Sequence, residues 1–380
     1  GVVLALHQTV DLVALFVEEL REVLTVLSGD ARDERAWHWD KATRTLNQVS
    51  RHDDVLVIAG GVGAARFLRS LRLADRAGRV TALVNTGDDT VVNGLHVSPD
   101  IDTVIYTLAD AIDPERGWGL RDEAWTAMQS LPRYAAVRDA GSAAPNDWFN
   151  LGDRDLATHL YRTARLNEGA VLSTVTQEIA RAWGVGFRVL PMSDDRVSTR
   201  VMLADDATSL DGHTYRNGET ISFQEYFVRL RHDVAVQRVV FDGVETARAN
   251  GIDEIHDAGI VVVAPSNPIV SIGPVRALSG VNDALAKRRS AVVGISPIIG
   301  GAALKGPADR MLRELGMEPS ALGVARLYAD ICGTFVIDTV DAGLAPKIEA
   351  LDMRCIVTDT IMKQESVARA LATTVLEAVA

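Results

Sequence analysis

Cysteine is scarce: Cys332 and Cys355 are the two in 380 residues. They form neither a disulfide framework nor a zinc spacing and read as small buried hydrophobes in a reducing cytoplasm. No run of about 18 uncharged apolar residues occurs, so no membrane span is expected. Positive charge is also short. Thirty-nine Lys and Arg against 51 Asp and Glu leave a net charge of −12, which gives nucleic acid no general basic surface. Two nucleotide signatures are missing as well. The six-residue glycine fingerprint with an acidic residue about 20 positions on is absent, and no Lys-Ser/Thr pair follows the glycine-rich turn. No internal repeat or low-complexity tract is present. These absences exclude a disulfide scaffold, a solenoid and a P-loop NTPase, and they leave a nicotinamide-dependent dehydrogenase weakly supported.

What is present is an ordinary globular composition, 47% hydrophobic and 24% charged, long enough for one large α/β domain. Residues 1–53 read as an arm of unknown role. An amphipathic helix is expected over residues 8–27, and the first ten residues lack the Lys and Arg of a secretory signal.

The chain is organised around residues 54–71. Val55 to Ile58 form a short β-branched apolar run, expected as a buried parallel strand. Gly60, Gly61, Val62 and Gly63 follow at once, and Ala64, Phe67, Leu68 and Leu71 then recur at helical spacing. A strand, a glycine turn and a helix start make a cradle for phosphate, because glycines admit the anion and free N–H groups face it. Arg66 adds a possible charge-assisted contact. A tight βα turn would need glycine in any case, so the neighbouring turns must decide.

They repeat the theme. Residues 80–84 read as a second strand ending in Asn85-Thr86-Gly87-Asp88-Asp89, a carboxylate pair suited to Mg²⁺. Ser98, Pro99 and Asp100 open a helix through residue 108, with Ser98 or Asp100 as cap and Asp102 in its first turn. Helices are expected over 121–131, 156–164, 172–183 and 342–350, and His159 reads as structural. Strands at 199–203, 219–223 and 236–241 break the βα rhythm and predict a lobe. The rhythm returns with strands at 260–264 and 291–295, which end in Pro265-Ser266-Asn267-Pro268 and Ser296-Pro297. Four strands thus end in small, acidic or turn-forming residues, and ligands of wound sheets gather beyond those ends. The expected fold is α/β: a doubly wound, mostly parallel Rossmann-like sheet with an inserted α+β lobe over its C-terminal edge.

Together these loops resemble the 2-phospho-L-lactate transferase family, called phosphoenolpyruvate transferase in actinobacteria. The resemblance covers residues 55–380. It rests on eight ordered stretches: Ala59 to Leu68, Val84 to Asp89, Ser98 to Thr103, Arg116-Gly117-Trp118-Gly119, Leu151 to His159, Leu190 to Asp195, Pro265 to Pro268 and Ser296 to Gly300. It implies a transferase domain at 54–380, with its core at 54–110 and 259–380 and an acceptor-side insert at about 111–258. It further implies transfer of a phosphoenolpyruvyl or phospholactyl group from a guanosine diphosphate-linked donor to the ribityl hydroxyl of the deazaflavin precursor Fo. GMP leaves, Mg²⁺ is required, and the product is an early form of the deazaflavin coenzyme F-420.

On this resemblance Gly60, Gly61, Val62, Gly63, Arg66, Ser266, Asn267 and Pro268 are expected to hold the guanosine nucleotide. Asp88, with Asp89 or Asp102, is expected to bind Mg²⁺. Asp102 and Asn150 correspond to the deazaflavin contacts, and Asp102 is the expected base. The actinobacterial character of Arg-Gly-Trp-Gly and of the Ala-Arg-Phe-Leu after the glycine turn points to phosphoenolpyruvyl. Small-molecule substrates, no nucleic acid, no membrane and a homodimer are expected. The competing reading is a non-catalytic, nucleotide-sugar-binding regulator of carbon metabolism with the same fold. The Leu-Gly-Asp-Arg-Asp and Pro-Met-Ser-Asp-Asp stretches favour the transferase, because they resemble its acceptor side.

Overall fold

The computed structural model describes residues 54–74, 79–135, 137, 139 and 148–379. The N-terminal arm and its expected helix lie outside the described residues.

Seven parallel strands make the central sheet: β1 (Val55–Ala59), β2 (Val80–Val84), β3 (Arg188–Pro191), β4 (Ile260–Val263), β5 (Val292–Ile295), β6 (Thr334–Asp338) and β7 (Arg354–Thr358). Their spatial order is β7-β6-β5-β4-β1-β2-β3. The chain runs outward from β1 through β2 to β3, then returns to the other side of β1 for β4. The order therefore reverses between β1 and β4, where an open α/β sheet leaves a crevice for ligands. Val55 pairs with Ile260 on one side and with Val80 on the other.

Both sheet faces are covered, as a doubly wound sheet requires. β1 is buried at all five positions, and its side chains alternate between two cores. Val55, Val57 and Ala59 join Phe67 and Leu68 of α1 (Gly61–Ala74), Ile101 and Ile105 of α2 (Pro99–Leu108) and Leu371 from the C-terminal helix. Leu56 and Ile58 join Val275, Leu285, Leu312 and Tyr328 on the opposite face. Each such Leu or Ile contributes on the order of 1.5–3 kcal/mol. Gly63 brings the turns after β1 and β4 together: a Cβ there would lie 2.0 Å from the Pro265 carbonyl oxygen.

The middle of the chain is less separate than expected. Arg188–Pro191, inside the 111–258 segment read as an insert, joins the main sheet beside β2. The lobe proper is the antiparallel sheet of Ser198–Leu203, Thr220–Ser222 and Val236–Asp242, with a core of Val201, Leu203, Tyr215, Ile221 and Tyr226. The short helix expected after it is a π-helical turn, Glu225–Arg229, a form that recurs at functional sites.

Two helices differ from their sequence reading. In place of a helix over 121–131 only Thr126–Ser130 is helical, and a second short helix, Pro132–Ala135, follows it, Pro132 lacking the N–H to continue its predecessor. The first is started from a distance: Asp153 accepts from the Thr126 and Ala127 N–H groups at 2.9 and 3.0 Å. The helix expected over 342–350 divides into a 3₁₀ segment, Thr339–Leu344, and a single α-turn, Ala345–Glu349. The Asp338 side chain accepts from the Val340 N–H at 3.0 Å and sets that tighter start. Among the described residues, no helix is long and apolar enough to cross a membrane.

Candidate active site

A cavity of about 870 Å³ opens along the carboxyl ends of the strands. The turns after β1, β2, β4 and β5 all contribute to its wall, so Gly61, Asp88, Asp102 and Asn267 share one space. α1 starts at Gly61, whose φ of +68° is the left-handed conformation that glycine tolerates. The first N–H groups of that helix have no partner within it and face this region. The Gly61 N–H is already taken by the Asp100 carboxylate, which leaves Val62 and Gly63 as donors for a ligand. The Ser266 hydroxyl donates to the Gly60 carbonyl at 2.7 Å and ties the two glycine- and proline-shaped turns together. The Asn267 side chain shapes its own loop, accepting from the Ile269 N–H at 2.9 Å. Pro268 is buried and does not line the cavity, whereas Arg66 does.

Next to the glycine turn sits a set of buried carboxylates. Asn85 donates to Asp100 Oδ2 at 2.9 Å and reaches Asp88 Oδ1 at 3.5 Å, so one amide bridges two acids. Burial raises Asp88 well above the ordinary carboxylate range, and repulsion from Asp100 and Asp89 adds to it. Burial lifts Asp100 to about 6, against the pull of Asn85 and the Gly61 N–H. Asp89 is also pushed up by burial, moderated by Ser98 and Arg162. The Ser98 hydroxyl does not cap α2; it donates to Asp89 Oδ2 at 2.7 Å. Asp88 and Asp100 line the cavity and Asp89 does not. Asp100, read from the sequence as a helix cap, is therefore a wall residue of the site.

The opposite wall is an ion network. Arg162, on α3 (Asp155–Asn167), is fully buried and holds Asp102 with both terminal nitrogens, one at 3.1 Å. Burial raises Asp102 above the usual range, and the Arg162 charge, then His159, pull it back toward ionisation. His159 Nε2 lies 3.3 Å from Asp155 Oδ2, and the Tyr106 hydroxyl donates to Asp155 Oδ1 at 2.6 Å. Asp155 is held below the ordinary range despite its burial, by His159 and Tyr106. The structural role read for His159 thus takes the form of a buried ion-network member on the cavity wall. Asn150 lies on this side of the cavity, exposed.

No group of three or more His, Cys, Asp and Glu converges to hold a metal among the described residues. Mg²⁺ does not require one, since it takes one or two carboxylates and completes its shell with substrate phosphates and water. Asp88 and Asp100 fit that demand: two carboxylates on the wall, each disfavoured in its charged form first by burial. Asp89 is turned to Ser98, and Asp102 already carries a guanidinium on both oxygens.

Several wall residues were not found from the sequence. Arg116 and Trp118 come from the Arg-Gly-Trp-Gly loop, Lys305 from the loop after β5, and Phe223 and Phe227 from the lobe. Phe223 and Phe227 stack with centroids 5.4 Å apart, and the Arg116 guanidinium lies 5.3 Å from the Trp118 ring centroid. The Arg-Gly-Trp-Gly motif was a signal for the first two. Lys305 carries none, because its loop has no motif around it.

The model of the family described as 2-phospho-L-lactate transferase CofD matches residues 55–374. The chain is 42% identical over 326 residues to a phosphoenolpyruvate transferase of Streptomyces griseus, covering 85% of this chain and 97% of the relative. It is also 42% identical over 299 residues to a phosphoenolpyruvate transferase of Mycobacterium tuberculosis, covering 75% of this chain and 86% of the relative. Among solved structures, a UPF0052 family protein of Bacillus halodurans superposes with a TM-score of 0.53 at 14% identity, over 85% of this chain and 98% of that one. That last likeness speaks for the fold alone.

Proposed function

The chain belongs to the CofD family of 2-phospho-L-lactate and phosphoenolpyruvate transferases, and from that premise we propose that it moves a phosphoenolpyruvyl group from a guanosine diphosphate-linked donor to the ribityl hydroxyl of Fo, in coenzyme F-420 formation. The observation that carries this reading is that the glycine turn, the Asp88/Asp100 pair and the Asp102 wall face a single cavity. The names of the relatives at 42% identity favour the phosphoenolpyruvyl donor over the phospholactyl one.

In this reading the guanosine diphosphate lies against the Val62 and Gly63 N–H groups and the turn of Ser266 and Asn267. The acceptor lies on the side of Asp102 and Asn150. The ribityl oxygen bonds to the phosphorus that carries the three-carbon acid, and the bond from that phosphorus to the GMP oxygen breaks. The hydroxyl proton passes to Asp102. Two oxygens offer about four lone-pair sites, so a bidentate Arg162 leaves room for one more donor. Arg162 pulls Asp102 back toward ionisation and fixes its direction, and position governs such proton transfer. Asp88 and Asp100 would hold Mg²⁺, which when bound neutralises charge on the phosphate oxygens. The remaining work is placement of two substrates, the main source of rate in phosphoryl-type transfer.

The test is incubation of the purified chain with Mg²⁺, Fo and each guanylated donor, followed by mass analysis. Formation of the phosphoenolpyruvyl product and GMP is expected. Absence of product with either donor overturns the reading.

A pH dependence follows from Asp100. Its carboxyl titrates at about 6 in the metal-free fold, and a metal ligand must be deprotonated. Mg²⁺ affinity is therefore expected to fall as pH drops through that value, by about tenfold per pH unit for the Asp100 proton and more steeply where Asp88 also takes one up. Stability without metal runs the other way. The folded state keeps this proton from 3.8 up to about 6 while the unfolded chain loses it, so metal-free stability falls as pH rises through that window. Calorimetric Mg²⁺ titrations at pH 5, 6 and 7 check the first sign; an affinity that is flat across them removes Asp100 from the metal site.

A further inference from the structure

We propose that Arg66 and Lys305 form the subsite for the carboxylate of the three-carbon acid on the donor, an assignment that rests on the transfer reading above. Both side chains line the cavity. Arg66 projects from the second turn of α1, beyond the N–H groups that face phosphate. Among the described residues no carboxylate forms an ion pair with either cation. Lys305 Nζ donates to the Arg116 carbonyl at 3.2 Å, which fixes the ammonium in place without neutralising it. Burial and the nearby Arg66 charge both hold this ammonium below its ordinary range, so the two cations stand close enough to repel.

The nearest acid, Asp113, attracts the Lys305 ammonium and relieves it only in part. Asp113 is committed to Arg116 at 2.9 Å and to the backbone N–H groups of Glu115 and Arg116. The Arg116 guanidinium is occupied in turn by Asp113 and by the Trp118 and Trp125 rings, with centroids 5.3 and 5.0 Å away. Gly117, at φ +76°, lies against the Lys305 ammonium: a Cβ there would come within 2.8 Å of Nζ. Two like charges thus share a wall, neither of them in an ion pair among the described residues. Water screens the exposed Lys305 ammonium, and an anion that displaces that water would meet two cations at once.

The donor offers two kinds of anion. Its diphosphate has the helix N–H groups and the Asp88/Asp100 metal pair. Its carboxylate is left the cationic side chains of the wall, where Lys363 also lies, and of these Arg66 and Lys305 are near enough to act on each other. The planar guanidinium fork matches a carboxylate, and the ammonium adds a point charge. Phosphoenolpyruvyl and phospholactyl donors both carry that group, so the subsite selects for an acid and not between the two.

The test uses the full chain with Mg²⁺ and the variants Lys305→Met, Lys305→Gln and Lys305→Arg. Two quantities are read: GDP affinity by calorimetry, and kcat/KM for the guanylated three-carbon donor. The expected result for Lys305→Met and Lys305→Gln is a loss of about tenfold or more in donor kcat/KM, mainly through KM, with GDP affinity changed by less than about twofold. Lys305→Arg is expected to retain most of the donor kcat/KM. Parallel loss of GDP affinity would show that Lys305 serves the diphosphate and overturn the assignment. Unchanged donor kinetics would overturn it as well. A wild-type chain that binds GDP and turns over the donor separates those outcomes from failure of the transfer reading, in which the wild type itself forms no product.

Discussion

Replacing Arg162 by Met is expected to destabilise the fold by about 3–5 kcal/mol near neutral pH, the range for removing one member of a buried pair. Arg162 is 0% exposed and Asp102 5%. The guanidinium meets both Asp102 oxygens, approaches the His96 carbonyl at 3.4 Å and contacts His159 Nδ1 at 3.2 Å. Without it the Asp102 charge has no adequate counter-ion and little exposure to water. Burial already raises the Asp102 pKa and Arg162 is the main influence holding it down. In the variant that pKa rises further, so the folded state takes up a proton the unfolded chain lacks. The deficit therefore shrinks as pH falls through the raised value toward the unfolded one near 4. Denaturant midpoints at pH 5 and pH 8 measure this. Adding Asp102→Asn to the variant is expected to recover much of the loss, because the stranded charge is then gone. A deficit below about 1 kcal/mol, or one insensitive to both pH and Asp102→Asn, would mean that the pair contributes little.

Asp88→Asn is expected to lower transfer by on the order of 10²–10³ while leaving stability unchanged or raised. The two signs come from the same environment. Asp88 is buried beside Asp100 and Asp89, and its charged form is disfavoured first by burial and then by their repulsion. A neutral amide of nearly the same shape removes that repulsion, which favours the fold. It also removes an anionic ligand for Mg²⁺, which weakens metal binding and the charge compensation of the reacting phosphates. Melting temperature without metal, Mg²⁺ affinity and turnover are the three measurements. A variant that is less stable and fully active would place Asp88 among the structural residues. Sites that concentrate like charge carry this kind of strain, because the substrate complex and not the free protein is what they complement.

Much of the fold was legible locally. The run Val55 to Ala59, the glycines after it and the apolar spacing of Ala64, Phe67 and Leu71 each lie within a few residues, so strand, turn and helix follow from period and composition. The same holds for residues 80–84 and 260–263. The place of Arg188–Pro191 in the main sheet was not legible, because strand neighbours are chosen by packing across more than a hundred residues. The end of the expected 121–131 helix before Pro132 was legible, and its start was not. The help that Asp153 gives Thr126 and Ala127 could not be read, since it comes from 26 and 27 residues away.

The candidate site divides along the same line. The expectation that the turns after four strands would meet came from the way ligands gather beyond strand ends in a wound sheet, and Gly61, Asp88, Asp102 and Asn267 do line one cavity. Which carboxylate faces the cavity did not. Ser98 takes Asp89, Arg162 takes Asp102, and Asp100 turns from helix start to cavity wall. The sequence by itself determined the elements, the family and the edge of the sheet where chemistry gathers, because periodicity and turn chemistry act over short stretches of backbone. Only the tertiary structure decided the charge state and partner of each acid and brought Lys305 beside Arg66. Those depend on exclusion of water and on neighbours delivered from far along the chain, and neither leaves a local pattern to read.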